Sequence, residues 1–369
     1  MDRDYNEIAT FNLHTGDIET LVFDISSLNF VVSFCFDGRD LIYVVDEYGE
    51  FMRLSISKRT KEAIGFPITA FYNNAKYPML YINNLIYFFG GKKHGDYIYS
   101  IETNKWKKSK FYHYETDYNS AMSVATFGHC IIELAPNTDD VYILKLNDNE
   151  NRFNNKNIKN IHDALDFIEK QENASCLITT GTNPKYFSNG LDLEWAMTIG
   201  MEGFQPFIKD FQCLLARFLT FPMPTIAALN GHTFAGGAML ACSHDYRIMR
   251  NDKGFFCLPE VDIHIPLTPG MNAVLQAKIT DASTYRDTVL LGKRFSGEEA
   301  SKLRIVDKAT TEEMLLPEAI QLATKIAPKG KDRFTFGALK RELYRSAMDK
   351  LKTGDFGESS KLQLPFAKL

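Results

Sequence analysis

The hydrophobic pattern of this 369-residue chain changes period once, near residue 130, and that change restricts the available folds more than any other feature. Upstream, short runs of aromatic and β-branched residues alternate with turn signals: EIATFNL then HTGD, DLIYVVD then EYGE, LIYFFGG then KKHGD, YIYSI then ETNKW. Such spacing reads as successive antiparallel strands. Three stretches, IATFNLHTGDIETL, FMRLSISKRTKEAI and YIYSIETNKWKKSK, repeat a strand–turn–strand unit at intervals of about 45 residues, a period that suits β-propeller blades.

Downstream, strands and helices alternate. DVYILKL, SCLITT, TIAAL and DYRIMR read as strands. NIKNIHDALDFIEKQ places Ile158, Ile161, Leu165 and Ile168 at helical spacing, and FIKDFQCLLARFLTF is a second apolar-faced helix. FSGEEASKLRIVD opens with a capping box, Ser296 and Glu299. Alternation of this kind implies a largely parallel core with helices packed outside it. The chain is also longer than one core usually fills, so two domains are expected, a β-rich segment at 1–128 and an α/β domain at 129–369.

A net charge of -4 with 24% charged residues shows no basic bias, which argues against nucleic acid as a partner. The longest apolar runs, such as TIAAL and LIYFF, are too short to cross a bilayer, so no membrane span is expected. MDRDYNEIATF has neither the basic start nor the apolar run of a signal peptide, which points to an intracellular protein. The six cysteines form no C-x-x-C pair, and His232 and His244 lack ligand spacing, so no metal is expected.

Three stretches carry candidate chemistry. In LPEVDIHIPLTPG, Glu260 is the one glutamate, with Leu258, Val261, Ile263 and Ile265 around it. A carboxylate there either turns to water or is kept partly dry, which raises its pKa. KYFSNGLDL and ALNGHTFAGGAMLACSHD are strand-to-loop junctions rich in small residues, and neither is a phosphate loop. AGGAMLACS reads as a helix with glycine in its first turn. Its free N–H groups suit a developing oxyanion; close packing of helix on strand explains the glycines equally well.

Taken together, NENRFNN, LITTGTNPKYFSNGLDL, PMPTIAALNGHTFAGGAMLACSHDYRIMR, LPEVDI and FSGEEASKLRIVD resemble, in order, the enoyl-CoA hydratase/isomerase (crotonase) superfamily over residues from about 130 to 369. FSNG-x-DL, SHDY and EVDI are similar to the plant peroxisomal Δ3,Δ2-enoyl-CoA isomerase subgroup. The resemblance implies a crotonase-type spiral α/β core with outer helices, preceded here by the antiparallel, partly propeller-like segment. It implies an acyl-CoA substrate, no separate cofactor because CoA is part of the substrate, and assembly as a homotrimer or hexamer. Carried over by motif, the amides of Leu191 and Gly236 form an oxyanion hole, and Glu260 is the catalytic base. Ser188, Asn189, Gly190, Leu191, Asp192, Gly236 and Pro259 are the substrate-binding positions. Hydratases of the superfamily have a second glutamate where this chain has Met239, which favours moving a double bond with one proton shuttle over adding water. Asp192, His232, His244 and Asp245 are expected to be structural.

Pro259 stands where the isomerase subgroup has serine, and His264 and Pro266 alter the stretch beyond EVDI, which leaves acyl-chain preference open. The terminal Ala367, Lys368 and Leu369 are similar to the S-K-L address read by the peroxisomal import receptor, so the peroxisome is the expected location, with the cytoplasm as the alternative. LIYFFGGKKHGDYIYSIETNKW loosely resembles a kelch repeat, with Gly90, Gly91, Tyr97 and Trp106. Two further readings stay open: a hydratase or thioesterase on the same fold, and a non-catalytic kelch-type interaction protein.

Overall fold

The computed structural model describes residues 7–11, 18–22, 31–36, 40–46, 48–65, 79–82, 85–89, 96–109 and 125–361. It divides into two compact units, Met1–Thr126 and Phe127–Leu369, two residues before the boundary read from the sequence.

Among the described residues, the strands of the first unit pair antiparallel. Strands β1 (Glu7–Phe11) and β2 (Ile18–Val22) form a hairpin. β3 (Val31–Phe36), β4 (Leu41–Asp46), β5 (Phe51–Ser55) and β6 (Thr60–Ile64) form one four-stranded meander. β7 (Met79–Ile82), β8 (Leu85–Phe89), β9 (Asp96–Ser100) and β10 (Lys105–Ser109) form another. The three repeated stretches of the sequence are the hairpins β1–β2, β5–β6 and β9–β10. Tyr43, Val45 and Phe51 pack with Met79, Ile86, Phe88 and Tyr99, so residues of both meanders share one core. The Trp106 ring lies edge-on to Phe51 at 5.0 Å, and its indole N–H donates to the Gly65 carbonyl at 2.6 Å. Four-stranded meanders are the unit from which propellers are built. Gly90 and Gly91, the paired glycines of the kelch-like reading, lie outside the described residues.

The second unit is α/β. β11 (Ala125–Phe127), β12 (Cys130–Leu134), β13 (Val141–Leu146), β14 (Cys176–Gly181), β16 (Thr225–Leu229), β18 (Tyr246–Arg250) and β20 (Lys308–Thr310) form one sheet in that order. β13, β14, β16, β18 and β20 run parallel, and β12 pairs antiparallel to β13. A second parallel sheet, β15 (Tyr186–Ser188), β17 (His232–Phe234) and β19 (Phe256–Cys257), takes one strand from each return of the chain. The chain thus winds as a spiral, each turn adding a strand to both sheets.

The helices follow from local signals. α1 (Asn155–Lys170) buries Ile158, Ile161, Leu165 and Ile168 and is capped by Asn154, whose side chain accepts from the Asn157 amide at 2.9 Å. α2 (Leu193–Thr198) is capped by Asp192, and α3 (Gly200–Leu219) follows it. α3 starts seven residues before the Phe207 read from the sequence and continues through Pro206, which has no N–H to give the Glu202 carbonyl. α4 (Gly236–Ser243) is buried along its whole length. α5 (Pro269–Gln276), α6 (Ala282–Leu290) and α7 (Gly297–Lys302) follow, and α7 carries the expected Ser296/Glu299 capping box. On α8 (Glu312–Gly330), Leu315, Ala319, Ala323 and Ala327 recur every fourth residue and pack on β13, β14, β16 and β18. Three alanines on that face let the helix axis approach the sheet closely. α9 (Arg333–Leu343) and α10 (Arg345–Thr353) complete the unit. Among the described residues, no helix is long and apolar enough to cross a membrane.

Two expected structural residues hold this core. His244 is fully buried, its ring within 2.8 Å of both the Leu240 carbonyl and the Thr179 hydroxyl, and burial pushes its pKa down to about 3, so it is neutral. Asp245 accepts from the Thr225 amide at 2.9 Å and pairs with the buried Lys340 at 2.8 Å, tying α9 to the start of β16.

Candidate active site

A cavity of about 230 Å³ opens among the loop after β15, the start of α4, the turn at Pro259–Val261 and the loop leading into α5. Its wall includes Asn189, Leu191, Gly236, Met239, Pro259 and Glu260, so the sequence candidates converge on one place. Ser188, Gly190 and Asp192, read as substrate-binding, are not part of that wall. They shape the loop behind it. Ser188 is fully buried, donates to the Asn151 carbonyl at 2.7 Å and accepts from the Gly190 amide at 3.2 Å. Asp192 accepts from the Trp195 amide at 3.1 Å as the cap of α2 and from the Asn154 side chain at 3.3 Å.

The loop is braced by residues 150–153, in the NENRFNN stretch. The Asn189 amide donates to the Glu150 carbonyl and the Phe153 amide to the Gly190 carbonyl, while the Asp192 amide donates to the Phe153 carbonyl. Because Phe153 bonds to residues 190 and 192, the intervening Leu191 turns its own N–H away from that partner. Gly236 begins α4, so its N–H has no acceptor one turn back. Leu191 and Gly236 are neighbours: a Cβ built on Gly236 would lie 3.5 Å from the Leu191 nitrogen and 3.4 Å from the Gly190 Cα. Two backbone donors are therefore held side by side at the cavity.

The turn entering α4 is strained and is held in place by hydrogen bonds. Ala235 has φ 50° and ψ -122°, a region that costs a non-glycine residue about 1–3 kcal/mol. Its amide donates to the Cys257 carbonyl at 3.0 Å, and its carbonyl accepts from Ala238 and Met239. The turn is thus pinned on one side by β19 and on the other by α4.

Glu260 sits in the short helical turn Pro259–Val261 with 8% exposure. One carboxylate oxygen, Oε2, is buried without a hydrogen-bond partner. Burial pushes its pKa up to about 7, against a smaller lowering by a backbone hydrogen bond. The cause is visible in the wall: Met239, Pro259, Ile263 and Ile265 supply hydrocarbon where an ion would want water. Among the described residues, Glu260 is the only carboxylate in the cavity wall. Position 239, where a second acid would stand, holds a methionine that is 3% exposed.

Several wall residues carried no sequence signal. Arg152 lines the cavity and pairs with Glu150 at 2.7 Å and Glu194 at 3.5 Å. Phe204 and Ile208 reach it from α3, Met271 from α5, and Phe356 and Ser359 from beyond α10. His232 is absent from the wall and packs its ring 4.9 Å from that of Phe234.

A family model for enoyl-CoA hydratase/isomerase matches residues 137–368. The peroxisomal enoyl-CoA delta isomerase 2 of Arabidopsis thaliana is 37% identical over 213 residues, covering 56% of this chain and 89% of that protein. Enoyl-CoA delta isomerase 3 of the same plant is 38% identical over 212 residues, with the same coverage. Among solved structures, the apo enoyl-CoA isomerase of Mycobacterium tuberculosis superposes with a TM-score of 0.55 at 21% identity, over 65% of this chain and 97% of that one. An enoyl-CoA hydratase of Mycobacterium marinum does so with a TM-score of 0.55 at 23% identity, over 63% and 99%. At these identities the solved structures show a shared fold.

Proposed function

The chain belongs to the enoyl-CoA hydratase/isomerase family, and within it we propose that it is an enoyl-CoA isomerase that converts 3-enoyl-CoA to 2-trans-enoyl-CoA, as in the oxidation of unsaturated fatty acids. The thioester carbonyl accepts from the Leu191 and Gly236 amides. The Glu260 carboxylate removes a proton from C2, and the electron pair is delocalised through C1 onto the thioester oxygen and through C3=C4 onto C4 as a dienolate. The same carboxyl then returns the proton to C4, leaving C2=C3 conjugated with the thioester. One proton leaves and one returns, so no water is consumed.

The observation that carries this reading is a lone buried carboxyl beside two free amides, with methionine in place of a second acid. Adding water across a double bond calls for a base and an acid placed around it, whereas a shuttle needs one carboxyl of intermediate pKa. The test follows 3-hexenoyl-CoA by the absorbance of the conjugated thioester, in parallel with 3-hydroxyacyl-CoA analysis. Conjugation without hydroxyacyl product supports the isomerase; no conjugation of 3-hexenoyl-CoA together with hydration of trans-2-hexenoyl-CoA, or release of free CoA, would replace it with the hydratase or thioesterase.

The pKa sets a pH profile. The reactive form of Glu260 is the carboxylate, and its pKa is raised to about 7. Accordingly kcat/KM should rise about tenfold per pH unit below pH 7 and level off above it. A profile flat from pH 5.5 to 8.5 would mean that Glu260 is not the group whose ionisation limits the reaction.

Ala367, Lys368 and Leu369 lie outside the described residues, and we propose that they direct peroxisomal import, in keeping with the peroxisomal relative. A fluorescent fusion ending in the native LPFAKL should enter peroxisomes and lose that location when Leu369 is removed. A diffuse signal for both would favour the cytoplasm.

A further inference from the structure

We propose that the segment Gly354–Ser359 is a strap that closes the acyl cavity, and that the Phe356 ring limits the length of acyl chain the site accepts. The proposal rests on the enoyl-CoA reading above and names a residue that sets its specificity.

The chain leaves α10 through Gly354, in the left-handed region at φ 63°. It turns again at Gly357, φ 49°, whose amide donates to the Asp355 carboxylate at 2.8 Å. A Cβ added at Gly357 would lie 3.0 and 3.1 Å from Pro269 Cγ and Cδ, so the strap rests directly on the first turn of α5. Two residues on, the Ser359 hydroxyl donates to the Pro266 carbonyl at 2.7 Å. Pro266 belongs to the loop that forms the cavity wall, and Phe356 and Ser359 themselves line the cavity.

The strap is therefore joined to α10 on one side of Phe356 and seated on Pro269 and Pro266 through Gly357 and Ser359 on the other, and the ring is half-buried. Other walls come from Phe204 and Ile208, one turn apart on α3, and from Met271 on α5. These side chains ask for no hydrogen bond, as a hydrocarbon tail requires. The cavity, about 230 Å³, falls below the roughly 300–1,000 Å³ usual for small-molecule pockets. It suits the reacting carbons and a short chain, and lengthening the chain brings it against a ring that the strap cannot easily yield.

The test compares the full-length wild type with Phe356→Ala, Phe356→Trp and Ser359→Ala. Calorimetry measures the affinity of saturated hexanoyl-CoA and decanoyl-CoA, and kcat/KM is taken with 3-hexenoyl-CoA and 3-decenoyl-CoA. One methylene beyond a fitted pocket discriminates by about tenfold or more, so the wild type should prefer the six-carbon ligand by at least about that factor. Phe356→Ala should shift the ratio toward ten carbons by about tenfold, Ser359→Ala by less, and Phe356→Trp in the opposite direction. Unchanged ratios in variants that keep the wild-type circular dichroism and melting temperature would overturn the strap. If the acyl-CoA affinities follow this order but no 3-enoyl-CoA is converted, the strap stands and the isomerase falls. A wild type that binds neither acyl-CoA removes both.

Discussion

Glu260→Gln is expected to lower kcat for 3-enoyl-CoA isomerisation by about 10²–10⁴-fold, the usual contribution of a positioned proton-transfer group, and at the same time to make the protein more stable above pH 7. The two effects have one cause. The carboxyl ordinarily titrates at 4.5 and in the folded protein at about 7, because burial penalises its charged form. The folded state therefore binds the proton more tightly than the unfolded chain does. Stability associated with this group is greatest below pH 4.5, declines as pH rises from 4.5 to 7, and stays at its lower value above. The gap corresponds to roughly 3 kcal/mol at about 1.4 kcal/mol per pH unit. Glutamine carries no charge at any pH, so the variant should show the flatter curve and exceed the wild type at pH 8 by about 1–3 kcal/mol. Urea unfolding at pH 5 and pH 8, beside the conjugation assay, reads both effects. A variant that keeps its activity, or loses equal stability at both pH values, would make Glu260 a structural residue.

The second large effect is expected from Gly190→Ala, with a loss of about 10²–10³ in kcat. The amides of the proposed oxyanion hole, Leu191 and Gly236, cannot be removed by substitution, but the space behind them can be filled. Gly190 has φ 82°, and a Cβ there would stand 2.8 Å from the Ala235 Cβ, 2.9 Å from the Gly236 nitrogen and 3.0 Å from the Phe234 carbonyl oxygen. The first and third of these belong to a turn already strained and hydrogen-bonded on both sides. Relief must come from separating the two loops, which moves the Leu191 and Gly236 amides apart. Gly200→Ala is the control. Gly200 has φ 63°, and nothing lies within 4 Å of its added Cβ. It bears the backbone cost, about 1–2 kcal/mol, without the collision, and should keep near-normal turnover. If Gly190→Ala also keeps normal turnover, the adjacency of the two loops is not what activates the carbonyl.

Much of this was open to the sequence because the signals involved are local. α1 follows from Ile158, Ile161, Leu165 and Ile168 with Asn154 before them, and the box at Ser296 and Glu299 from two residues three apart. The repeated strand–turn–strand stretches are hairpins because a hairpin is written in adjacent residues. Glu260 could be singled out because an acid among apolar neighbours is conspicuous in thirteen residues of text. The start of α3 was misplaced because Pro206 is a stop signal in local reading, whereas in the folded chain the helix runs through it.

The sequence by itself determined the change from an all-β to an α/β unit, the helices α1, α4 and α7, the family motifs and the choice of Glu260. Only the tertiary structure decided what surrounds them. It set Ser188, Gly190 and Asp192 behind the cavity wall, brought residues 150–153 against their loop, and placed Leu191 beside Gly236. It also brought Phe356, 96 residues along the chain from Glu260, into the same cavity wall. The physical reason is range. Caps, turns and periodicity depend on bonds between residues a few positions apart, which the chain spells out in order. A desolvated carboxyl, a pair of adjacent amides and the wall of a cavity depend on which distant segments the two sheets and their helices press together, and no short stretch contains that information.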